Sequence, residues 1–134
     1  DMYGLWEKVG RYIRKEDAIV KSHPRQKESA LKKLGYAMYE RYEIPWEVLT
    51  FNQDMNDKTL FTIFSTSCVN PKLMFDAEPR VILLYKLIGM DYSFFGEGMI
   101  RFVQGVRELY RDKDKFFVPE SWEALEDYCR TYLQ

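Results

Sequence analysis

The run Val81-Ile-Leu-Leu-Tyr-Lys-Leu-Ile88 constrains this chain more than any other stretch, because seven of its eight residues are apolar and no polar face interrupts them. Such a segment cannot lie on a surface as an amphipathic helix, so it is expected to be a fully buried central element around which the rest is organised. Its pattern fits either a buried helix or a buried strand, since a strand covered on both faces shows no alternation.

Thr59–Val69 shares this ambiguity, with Thr, Ile, Phe and Val that favour a strand as much as a helix. Asp57 stands where a helix N-cap would, and no hairpin turn lies nearby, which tips the reading towards helix. The expected fold is therefore all-α, a single compact bundle of five to seven helices. The alternative is an α+β fold with a small sheet made from 59–69 and 81–88.

Helical spacing places the other elements. Leu5, Val9, Tyr12 and Ile13 share a face over residues 3–15, and Leu31, Leu34, Met38 and Tyr42 share one over residues 25–42. Gly35 inside the second stretch is unfavourable by about 1 kcal/mol relative to Ala, which suggests close packing there. Trp46 to Phe51 predicts a short helix after Pro45, and Asn70-Pro71 a turn. Met99, Phe102, Val103, Val106 and Tyr110 predict a helix beyond Gly96 and Gly98. Pro119 opens a last one striped by Trp122, Leu125, Cys129 and Tyr132.

With 134 residues, 46% of them apolar, one core suffices and no linker divides the chain, so 1–134 reads as a single helical domain, a fragment of a larger protein. No stretch approaches the ~20 apolar residues that span a bilayer, and no signal peptide opens the sequence, which predicts an intracellular protein, cytoplasmic or nuclear, with no membrane partner. Cys68 and Cys129, lacking CxxC spacing, are expected to be reduced and buried.

Catalytic groups are scarce. His23 is the one histidine and sits in loop sequence, so no nucleophile–base pair is expected. Glu40, Glu43 and Glu47 are interrupted by Pro45; Asp54 and Asp57 flank a turn. Asp76 and Glu78 precede Pro79 in a loop where capping the next helix is their expected use. No HExxH, Cys/His cluster or phosphate-binding glycine loop is present, so no enzyme, metal site or cofactor is expected.

Asp91-Tyr-Ser-Phe-Phe-Gly-Glu-Gly-Met-Ile-Arg-Phe-Val-Gln-Gly-Val resembles the second half of an EF-hand, with Gly98 at the tight turn and Ile100 two places later. Ser93, Phe95, Glu97 and Gln104 then fall on ligand positions, too few oxygens for calcium. The resemblance implies a metal-free helix pair used for packing or peptide binding.

Charge is uneven: residues 1–42 hold ten Lys/Arg against six Asp/Glu, and residues 43–134 ten against fifteen. The basic face comprises Lys8, Arg11, Lys15, Lys21, Arg25, Lys27, Lys32 and Lys33, with Tyr36 and Tyr39 as candidate stacking platforms. Abundant aromatics and absent chemistry lead to one functional expectation: a non-catalytic protein-protein interaction domain of an intracellular regulatory or assembly factor. It would take a helix or peptide in an aromatic-lined groove. The alternative is a nucleic-acid-binding module using the basic face.

Overall fold

A computed structural model describes residues 2–21, 30–39, 44–89 and 96–133. Among the described residues five short strands accompany the helices, so the fold is mixed and the all-α expectation is wrong. The chain divides into two compact units, one of Asp1–Pro45 with Glu126–Gln134, the other of Trp46–Leu125.

The second unit is built on a three-stranded, all-parallel sheet of β3 (Thr59–Thr62), β4 (Arg80–Leu83) and β5 (Phe116–Phe117), with β4 in the middle. Leu60 pairs with Val81 and Val81 with Phe116. Parallel strands cannot be joined by a tight hairpin, so each connection carries helix. The first holds a 3-10 turn, Thr66–Cys68, and α4 (Asn70–Phe75); the second holds a 3-10 turn, Tyr85–Ile88, and α5 (Glu97–Leu109). This explains why hairpin chemistry was no guide to a sheet.

The apolar run is the central strand and its exit. Val81, Ile82, Leu83 and Leu84 are wholly buried and Tyr85 nearly so, whereas Lys86 is exposed and Leu87 and Ile88 only partly covered. Alternate side chains point to opposite faces of a sheet, so burial of four in a row means both faces are covered. Val81 and Leu83 join Cys68, Val69, Phe116 and the inner face of α5 (Ile100, Val103, Val106, with Tyr110 after it) in one core cluster. Phe64 meets Tyr85, and Tyr110 meets Phe116, edge to face with ring centroids 5.4 Å apart.

Before the sheet, α3 (Trp46–Phe51) starts after Pro45, and the Trp46 indole donates to the Ser67 carbonyl at 2.7 Å. Asp57 caps no helix, because β3 follows it. Asn70-Pro71 is the start of α4, with proline in the first turn where its missing N–H is no loss. Gly98 lies inside α5 and makes no tight turn, which removes the EF-hand reading; residues 91–95 of that motif are outside the described residues.

In the first unit α1 (Met2–Val9) buries Leu5 and Val9 and ends earlier than its spacing suggested. Of the long second helix expected over 25–42, α2 (Ala30–Lys33) is what the described residues contain. Gly35, at φ +90°, stops it by adopting a left-handed conformation, not by packing closely. The chain then enters β2 (Ala37–Met38), parallel to β1 (Ile19–Val20). Tyr36 is buried, its hydroxyl against Gly10.

The last helix, α6 (Trp122–Tyr132), has its first turn in the second unit and the rest in the first; Ser121 accepts from the Ala124 amide at its start. Leu125 and Cys129 of its stripe are buried, and Tyr132 is exposed. Both cysteines are free thiols inside the protein, and burial pushes Cys68 up to about 12 and Cys129 up to about 11. A thiol so raised carries almost no thiolate, so neither should react with an alkylating reagent at pH 8 until the protein is unfolded, as mass spectrometry of the labelled protein will show.

Candidate functional site

Three groups of residues invite a functional reading, and each is built differently. The first is a charge cluster in the second unit. Glu78, just before β4, is buried, its side chain 9% exposed, and the Lys72 side chain on α4 is 8% exposed, though the residue as a whole is only half-buried. The Lys72 ammonium donates to Glu78 Oε2 at 2.7 Å and to Asp76 at 2.5 Å. The amides of Arg111 and Asp112 donate to the same Glu78 carboxylate, at 3.1 to 3.3 Å. Arg111 also forks onto Asp76. Lys115 donates to the carbonyls of Asn56 and Glu78, and the Tyr110 hydroxyl to that of Pro79.

Burial acts most strongly on Glu78 and would raise its pKa. The hydrogen bonds from Lys72, Arg111 and Asp112 and the Lys72 charge together outweigh it and hold the carboxyl down at about 2. A carboxylate so held is a poor base, and its oxygens are already occupied by donors. The cluster is a clamp fastening the start of β4 to the chain after α5, more than thirty residues away. Asp76 ends α4 in a left-handed conformation, φ 52°, and neither it nor Glu78 caps a following helix.

The remaining sequence candidates are scattered. Glu47 accepts from Asn70 at 2.9 Å, and Asp54 accepts from the amide and side chain of Asn56. His23, Glu40 and Glu43 lie outside the described residues. Among the described residues no group of three His, Cys, Asp or Glu side chains is placed to hold a metal ion.

The basic residues form the second group. Lys8 is in the last turn of α1, Arg11 in the turn after it, and Lys32 and Lys33 are exposed on α2. Lys15 is used internally: its ammonium donates to the Leu34 carbonyl at 2.5 Å, capping the end of α2, and stands 5.5 Å from the centre of the Tyr36 ring. Tyr36 is core and cannot stack on a base; Tyr39 is half-buried, and its amide donates to Val20 in extending the β1–β2 ladder. Lys21 is half-buried, and Arg25 and Lys27 lie outside the described residues. Acidic Glu16 and Asp17 sit within the same stretch, paired with Arg14.

The third group was not foreseen. On α3 and α4, which pack together, Val48, Phe51, Leu73, Met74 and Phe75 are all exposed, Phe51 to 70%, and the Phe51 and Phe75 rings touch at 5.5 Å between centroids. Two short helices thus present five apolar side chains to water. A cluster of this kind stands out, where single exposed apolar residues are ordinary.

No protein-family model, curated protein or solved structure matches this chain. Among the described residues, no helix is long and apolar enough to cross a membrane.

Proposed function

We propose that the chain is a non-catalytic protein-interaction domain, as expected for an intracellular regulatory or assembly factor, and that it takes a helix or peptide of its partner on the apolar surface of α3 and α4. The carrying observation is the exposed cluster around the Phe51–Phe75 ring pair. Aromatic and methionine side chains are the types that anchor interfaces, and helix-bordered apolar surfaces accept amphipathic helices by their i, i+3, i+4 side chains. The acidic balance of residues 43–134 favours a partner segment with basic flanks.

Peptide-display selection against the intact chain tests this reading. Selected peptides should be amphipathic, and Phe51→Asp together with Met74→Asp should weaken them more than tenfold, as expected for loss of central anchors. Binding should weaken only modestly as salt rises, because the apolar anchors carry it and the basic flanks add a screened contribution. Peptides that bind wild type and variant equally would refute the α3–α4 surface. Retention of nucleic acid that fades steeply with salt would favour the basic residues instead.

A further inference from the structure

The helix α5 carries a second exposed line, distinct from α3 and α4. Its inner face is Ile100, Val103 and Val106; on another side lie Gly98, Phe102, Gly105 and Leu109, at successive spacings of four, three and four residues. That is heptad spacing, which aligns four residues along one seam of a helix. Phe102 is 46% and Leu109 59% exposed.

The two glycines that alternate with them are exposed and helical, and no atom of the described residues lies within 4 Å of where a Cβ would stand, so no described contact of the fold requires either. Glycine inside a helix is unfavourable and is used where something must approach the backbone closely. Two large apolar knobs therefore alternate with two bare backbone positions.

We propose that this seam joins two copies of the chain, their α5 helices antiparallel about a two-fold axis. Setting Phe102 on Gly105 of the second copy fixes the register. The two-fold then sets Gly105 under Phe102 of the second copy, and the same alignment brings Leu109 onto Gly98 and Gly98 under Leu109. Each knob meets a hole, which is the self-complementarity a two-fold interface needs.

The alignment also brings Arg101, which flanks the seam and pairs with Glu97 of its own helix, beside Glu108 of the second copy, and does so twice. A parallel pairing would instead crowd Phe102 against Phe102 and leave glycine facing glycine. The seam spans only about 17 Å, so the dimer is weak and dissociates on dilution.

Sedimentation equilibrium from about 5 to about 500 µM is the test, because mass action shifts a weak dimer across such a range. Wild type should show a reversible monomer–dimer equilibrium. Gly105→Gln fills the hole with a better helix former, so it should fold at least as well as wild type and remain monomeric. Arg101→Glu should weaken the dimer about tenfold, and so should Glu108→Arg. Mixing these two variants should restore wild-type affinity, because both cross-pairs are again of opposite charge.

A wild-type chain that stays monomeric throughout, a Gly105→Gln dimer of unchanged affinity, or a mixture no tighter than its components overturns the proposal.

Discussion

Replacing Leu83 by Ala should cost about 2–5 kcal/mol of folding stability, a large share of the total for a domain of this size. Leu83 is wholly buried at the end of the middle strand, paired with Thr62 of β3, and inside the cluster that α5 closes. The truncation opens a cavity within that cluster, where the sheet on one side and α5 on the other cannot close in alone. Ile82→Ala should cost a similar amount although its side chain points to the other face, because that face is covered as completely. Equal cost at adjacent positions distinguishes this strand from one with a wet face, where the penalty would alternate. Phe51→Ala, at an exposed position, should change stability by no more than about 0.5 kcal/mol. Urea titrations read all three: the midpoints of the two core variants fall while the slope stays that of wild type. An Ile82→Ala variant as stable as wild type would refute burial of both faces.

The same double burial explains what could be read from the sequence. That residues 81–85 lie at the centre is visible in their composition, but strand could not be told from helix without knowing their neighbours. Those neighbours, Thr59–Thr62 and Phe116–Phe117, are some twenty and thirty-five residues away and parallel, so no turn between them announces the pairing. Local signals served better where structure is local. Pro45 and Asn52 bracket α3, and of the expected stripe Val103, Val106 and Tyr110 do face inward from α5, whereas Met99 and Phe102 are exposed and Ile100, outside that stripe, is buried in their place. Gly35 was visible as a helix fault, yet propensity alone could not say that the chain would turn there into β2.

The candidate sites were less legible. Nothing in the sequence sets Leu73, Met74 and Phe75 apart from core residues, because apolar character predicts burial only on average. Their exposure depends on which face of α4 meets α3. Glu78 looked like a cap because its donors, Lys72 apart, come from residues 111 and 112. Topology brings them to it, through the long connection that carries α5. Lys15 looked like part of a solvated basic face, but a four-residue helix needed its last carbonyls satisfied, and Lys15 reaches one of them.

Glu78→Gln should destabilise the protein by about 3 kcal/mol at pH 7, and the loss should vanish in acid. Breaking a buried pair costs about 3–5 kcal/mol, and the loss here falls at the lower end because Lys72 keeps its second carboxylate partner, Asp76. The sign of the pH effect follows from the direction in which the carboxyl is held. Its ordinary value is 4.5 and its folded value about 2, so the folded state favours the carboxylate. That preference contributes stability in full above pH 4.5 and loses it progressively as pH falls towards 2; the interval corresponds to about 3 kcal/mol. Asp76, held low by its Lys72 hydrogen bond, adds to acid lability in the same sense, so the wild-type curve alone would not isolate Glu78. The difference between wild type and variant does. Glutamine resembles the protonated acid, so the gap between their urea midpoints should be widest at neutral pH, narrow below pH 4.5 and nearly close at pH 2. It should also persist at high salt, because the pair is shielded from the ions that screen surface charges. A gap unchanged between pH 7 and pH 2.5 would mean that the clamp holds by shape and hydrogen bonding, with the charge of Glu78 contributing nothing.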